Sequence, residues 1–187
     1  RKGAYMEYTK LGNTDLEVSK ICIGCMSFGK AGTMHDWTLD ETESEKVIKH
    51  ALNLGINFFD TANCYSVGTS EEYLGKAIRN NIARDKVVIA SKVYFNDGRL
   101  SKEAIAREID GTLQRLGTDY LDLYIIHRFD FDTPIEETME ALDALVKAGK
   151  VRAIGASAMY GYQFYNMQIA AKEHGWAPFS TMENHYN

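Results

Sequence analysis

The stretch Lys86–His127, KVVIASKVYFNDGRLSKEAIAREIDGTLQRLGTDYLDLYIIH, decides how this chain is read. Two apolar runs, KVVIASK (86–92) and YLDLYIIH (120–127), enclose SKEAIAREIDGTLQRLG (101–117), which opens on a capping serine, Ser101, and closes on Gly117. The runs lack strict apolar–polar alternation, so they read as parallel strands buried on both faces and joined by a helix. Each run ends on an ionisable residue, Lys92 or His127. Such groups normally avoid the interior, so their placement calls for a reason.

The same unit repeats on either side. Upstream, strand KICIG (20–24) precedes a helix that starts near Asp40, carries acids in its first turn and ends at Gly55. Strand INFFD (56–60) precedes helix SEEYLGKAIRN (70–80). Downstream, a helix with Pro134 in its first turn and Gly149 at its end leads to strand VRAIGAS (151–157). A helix around YQFYNMQIAAKEHG and a last strand, FSTMEN (179–184), complete the series. Ahead of everything, YMEYTK and LEVSK flank the turn-like LGNTD as a hairpin. No linker or composition break interrupts residues 1–187, which read as one domain; Met6 reads as a native start preceded by a short extension.

Six strands alternating with five helices fit either an open doubly wound sheet or a (β/α)8 TIM barrel cut short. A complete barrel takes about 250 residues. The strand ends separate the two. Asp60, Lys92, His127, Ser157 and the pair Glu183–Asn184 close five consecutive strands. An open sheet would spread them along an edge, with strands ~4.8 Å apart. A barrel gathers them at one mouth, where barrel enzymes do their chemistry. The expected fold is therefore an incomplete α/β barrel, an N-terminal hairpin plus strands one to six.

Composition excludes several other classes. The chain has 187 residues, 45% hydrophobic, with a net charge of −5. That acidity argues against nucleic-acid or anionic-membrane binding. No apolar run approaches the roughly 20 residues of a membrane span, and the N-terminus has no signal-peptide core. Cys22, Cys25 and Cys64 are an odd set and read as reduced thiols of a cytoplasmic protein. The Cys22–Cys25 C-x-x-C closes a strand and lacks two further ligands, so no metal site is expected.

Taken singly, each strand-end residue has a bland reading. Asp60 is a common turn former, Lys92 a snorkelling lysine, His127 a satisfied structural histidine. The set is harder to explain as packing. NFFDTANCY (57–65) carries Asp60 to a strand end and sets Tyr65 five residues beyond. A phenol, normally of pKa ~10, is a poor acid at neutral pH unless an ammonium such as Lys92 favours its phenolate. Asp60 would supply the counter-charge that a half-buried ammonium needs, and an imidazole can orient a carbonyl. Such a site donates a proton to a carbonyl but holds no hydride, so reduction would require a nicotinamide cofactor.

FFDTANCY, IASKV, GTDYLDLYIIHR and GKVRAIGAS resemble, in order and spacing, the aldo-keto reductases. The ends LGNTDLEVSKICIGCMSFG and STMENHYN resemble the bacterial, potassium-channel-β-subunit-like branch. The resemblance implies reduction of aldehydes or ketones, small carbonyl substrates, with NADPH or in some members NADH. It implies Tyr65 as general acid, Lys92 lowering its pKa, Asp60 pairing with Lys92, and His127 orienting the carbonyl. It implies Ser157, Cys25, Met26, Asp60, Glu183 and Asn184 as cofactor contacts. Ala158 replaces an asparagine common in the family, and Glu183 replaces a glutamine; an ionised carboxylate cannot donate to a carboxamide oxygen. The last two β/α units are missing, which would leave strands one and six as open edges. Either the chain is part of a longer protein, the expected case, in which the 187-residue piece alone is inactive, or a second copy fills the gap in a homo-oligomer. A nucleotide-binding regulatory subunit on the same barrel, or an inert truncated barrel, are the alternatives to an enzyme.

Overall fold

The computed structural model describes residues 6–185. The expected upstream extension and the last two residues of the ENHYN ending lie outside them. A hairpin, β1 (Tyr8–Lys10) and β2 (Glu17–Ser19), comes first. Six parallel strands then form one sheet: β3 (Cys22–Gly24), β4 (Phe58–Asp60), β5 (Val88–Val93), β6 (Leu121–Ile126), β7 (Val151–Ser157) and β8 (Thr181–Glu183). Helices α1 (Glu41–Asn53), α2 (Thr69–Asn81), α3 (Lys102–Leu116), α4 (Ile135–Lys147) and α5 (Gly161–His174) connect them in turn.

Strand order settles the choice of architecture. Each strand pairs with the one before it, from β3 to β8 without reversal. A doubly wound sheet reverses at a switch point. An unreversed parallel series with a helix after each strand is the wall of a (β/α)8 barrel, here an incomplete one.

The helices begin and end as the residues dictate. Asp40 accepts the amide of Glu43 and Ser101 that of Ala104, while Gly117 leaves α3 in the left-handed region at φ 66°. Pro134 stands one position earlier than expected, at the N-cap of α4. The outer strands are shorter than the apolar runs suggested. β4 starts at Phe58, just after Asn57, whose side chain accepts the Ser19 amide and donates to the Glu17 carbonyl. Among the described residues, strands β3 and β8 each have a neighbour on one side only.

Side-chain parity divides the interior into two layers. Phe59, Ile89, Tyr124, Ile126 and Ile154 face the helices and pack on Ile48, Leu74, Ile105 and Leu142. Each such aliphatic or aromatic side chain contributes about 1.5–3 kcal/mol by its burial. The opposite parity, Val88, Ala90, Leu123, Ile125 and Ala153, lines the concave side, where Leu16 and Val18 of the hairpin cover it. Asp60, Lys92, His127, Ser157 and Glu183 continue this second parity.

Candidate active site

The register brings the strand ends together. Asp60 pairs with Ala90, Lys92 with Ile125, and Ser157 with Glu183 across neighbouring strands. Lys92 is the hub. Its side chain is 1% exposed, and its ammonium donates to the Asp60 carboxylate, to the Thr61 carbonyl at 3.1 Å and to the Tyr65 hydroxyl at 3.4 Å. The ammonium also lies 5.1 Å from the Tyr65 ring centroid and 3.8 Å from the Glu183 carboxylate. Lys92 is not the last residue of β5, which runs on to Val93, and His127 stands one residue beyond β6.

Tyr65 is followed by a tight left-handed turn, Ser66–Gly68, that the sequence does not announce. Upstream of it, the Asn63 amide donates to the Asn96 side-chain oxygen and to Glu108, each at 3.0 Å, tying the Tyr65 loop to the loop after β5. His127 packs edge-on against Tyr65 with ring centroids 5.8 Å apart, and against Phe95 at 5.0 Å. Its Nδ1 lies 3.9 Å from the Cys64 sulfur.

Electrostatics separates the four groups. Burial, then the charges of Lys92 and Arg128, hold His127 down to about 4, so the imidazole is neutral near pH 7. Burial pushes Asp60 up to about 6 against the pull of Lys92. Burial pulls Lys92 down, but Asp60, Glu183 and Tyr65 together leave it raised. Tyr65 differs from the expectation of a lowered phenol. Lys92 does pull it down, yet burial acts more strongly and its pKa is raised overall.

The expected cofactor contacts divide into two sets. Ser157 is buried and donates to the Glu183 carbonyl at 2.8 Å. Glu183 borders a concave cavity of about 420 Å³ with Cys22, Gly24 and Asp60. Asn184 borders a second one of about 590 Å³ with Phe95, Arg128 and Tyr160. Met26 is exposed. The Cys25 side chain stands apart: it is fully buried in the helix-facing core, because its parity opposes that of Cys22 and Gly24. The Cys25 backbone amide, however, donates to the Asp60 carbonyl at 2.8 Å. Burial raises both thiols of the C-x-x-C, Cys22 to about 12, the reverse of a redox pair. Among the described residues no His, Cys, Asp and Glu cluster could hold a metal, and no helix is long and apolar enough to cross a membrane.

Residues 20–187 match the aldo/keto reductase family, and the chain belongs to it. It is 42% identical to versiconal hemiacetal acetate reductase of Aspergillus parasiticus, over 97% of this chain and 60% of that protein. It is 41% identical to aldo-keto reductase AFTS1 of Alternaria alternata, over 100% of this chain and 59% of the relative. A third relative, an aldo-keto reductase of Fusarium vanettenii, is 41% identical over 97% of this chain and 57% of its own length. The chain thus spans rather less than two thirds of the relatives it matches.

Proposed function

We propose that this chain carries the proton-donating site of an NADPH-dependent reductase of aldehydes and ketones. The observation that carries the reading is Lys92: a fully buried ammonium that donates at once to Asp60 and to the Tyr65 oxygen. Because the Tyr65 oxygen accepts from Lys92, its own proton is free for another acceptor. Its raised pKa keeps that proton in place at neutral pH, as a general acid requires. The pull of Lys92 matters as the proton leaves, when it stabilises the phenolate. Asp60 holds the ammonium charged, since a lone buried charge would cost several kcal/mol. His127, neutral, has a ring nitrogen beyond the one facing Cys64 with which to orient a carbonyl oxygen.

The residues at the mouth fit a nicotinamide dinucleotide. Asp60 Oδ1 and Thr181 Oγ1 are buried without a partner among the described residues, as suits a ligand rich in hydroxyls and amides. Ser157, with its proton committed to Glu183, can accept from a carboxamide, and the Glu183 carboxylate can do the same. Asn184 supplies a donor that Glu183 lacks. The bound nicotinamide would supply the hydride. The end motifs support the bacterial, channel-β-subunit-like branch, and the free thiols Cys22, Cys25 and Cys64 suit a reducing cytoplasm.

The test uses the full-length protein with NADPH and 4-nitrobenzaldehyde, followed at 340 nm. Tyr65→Phe is expected to cut kcat about 10²–10⁴-fold while leaving NADPH binding, read by fluorescence quenching, intact. Undiminished turnover in that variant would sink the assignment of Tyr65. No turnover by the wild-type protein across a broad carbonyl panel would sink the enzyme.

A further inference from the structure

Glu71 is a carboxylate that the chemistry above leaves unused. It is fully buried in the first turn of α2. Its Oε1 accepts the hydroxyls of Ser91 at 2.5 Å and Thr112 at 2.9 Å, and its Oε2 accepts Arg115 Nε–H at 2.5 Å. A buried ion pair is seldom a net source of stability, because desolvation costs several kcal/mol per ion. Its position suggests another use.

Ser91 immediately precedes Lys92, on the helix-facing side of β5. Glu71 follows Tyr65 by six residues, and the backbone between them is strained. Ser66 (φ 47°), Val67 (φ 54°) and Gly68 (φ 88°) are three consecutive left-handed residues, two of them bearing side chains and one β-branched. Each such L-residue costs on the order of 1–2 kcal/mol, and such strain persists only where surrounding structure imposes it. Local contacts hold part of it: Ser66 is buried against Gly29 and its carbonyl accepts the Thr69 hydroxyl at 2.8 Å, whereas Val67 is 76% exposed and Ser66 Oγ has no partner among the described residues. Arg115 does press on the turn. A Cβ at Gly68 would stand 2.7 Å from its Cδ.

We propose that Glu71 and Arg115 are positioning residues for Tyr65. They clamp the strained turn after Tyr65 to the outer side of β5, one residue from Lys92, and so hold the phenol hydroxyl against the ammonium. Neither touches substrate, and the proposal rests on the reading of Tyr65 as proton donor.

The experiment is Glu71→Gln in the full-length protein, alone and combined with Tyr65→Phe. Glutamine keeps the size and an acceptor for the hydroxyls but loses the charge that holds Arg115. A displaced acid of this kind costs about 10–100-fold in kcat, with the KM for NADPH unchanged and the alkaline limb of the kcat–pH profile shifted. In the Tyr65→Phe background the same substitution should cost nothing further, since the group it positions is gone. Equal losses in both backgrounds would make the pair purely structural and overturn the proposal, as would wild-type kcat in Glu71→Gln. Should that variant fail to fold, Ser91→Ala, which spares the ion pair and removes only its tether to β5, decides in the same way. A severalfold loss of kcat that vanishes beside Tyr65→Phe supports positioning; full activity overturns it. Full turnover in Tyr65→Phe would instead remove the underlying reading. An inactive Tyr65→Phe with a fully active Glu71→Gln removes this proposal alone.

Discussion

His127→Gln should change how stability responds to acid. The imidazole is held down to about 4 in the folded protein, against a usual value of 6.5. Between those values the unfolded chain binds a proton that the folded chain refuses, so stability falls as pH drops through 6.5 towards 4. At pH 5 the full shift corresponds to about 2 kcal/mol; the ring is only partly buried, and solvent screening brings the expected loss nearer about 1 kcal/mol. Asp60 works the other way in an overlapping window. Its folded value, about 6, lies above the usual 3.8, so the folded state takes up that proton first and gains stability as pH falls through 6. In the wild type the two effects oppose each other; in His127→Gln only the Asp60 effect is left. Urea unfolding at pH 7.5 and 5.0 reads the difference. The variant should gain about 1 kcal/mol on the wild type between the two pH values. Parallel pH dependence in the two proteins would refute the reasoning, because it would mean that His127 titrates alike folded and unfolded.

Lys92→Met should cost both activity and stability: it leaves the largely buried Asp60 without its counter-charge, worth about 3 kcal/mol of unfolding free energy from urea titration at pH 7.5. Adding Asp60→Asn should return much of the stability and none of the turnover; a double variant no more stable than the single one would contradict this. Gly75→Ala should destabilise by about 2 kcal/mol, because a Cβ there would stand 2.2 Å from the Leu116 carbonyl oxygen, where α2 crosses the end of α3. An unchanged or raised melting temperature would show that the helices separate without cost.

Much of the candidate site was legible because its residues stand at strand ends, which a barrel gathers at one mouth. Asp60, Lys92, His127, Ser157 and Glu183 each close an apolar run, and the two-residue period of a strand carries all five to the concave side. Cys25 shows the same rule acting against the reading. One residue past Gly24 its parity flips, and its side chain enters the helix-facing core. What stayed illegible depends on contacts distant in sequence. Nothing in VIASK indicates that Ser91 meets a carboxylate 20 residues away, or that Asn63 reaches Glu108. The direction of the Tyr65 shift was missed for a related reason. Sequence shows that a lysine is near, but not how much protein surrounds the phenol, and the second effect outweighs the first. The left-handed turn at Ser66–Val67 defies residue preference outright, since neither is a residue that favours φ > 0.

The hairpin under the sheet sets an order of events. Leu16 and Val18 share a cluster with Phe58 of β4 and with residues of β5, β6 and β7 as far along the chain as Ala153. Such non-local closure is slow, since chain entropy is spent before the contact rewards it. On a ribosome adding 5–20 residues each second, the hairpin waits on the order of ten seconds before its last partner is made. It emerges more than a hundred residues before Ala153 and is fully covered only once that residue arrives. Its two apolar side chains therefore stay incompletely covered on the growing chain until the last strand of that cluster arrives.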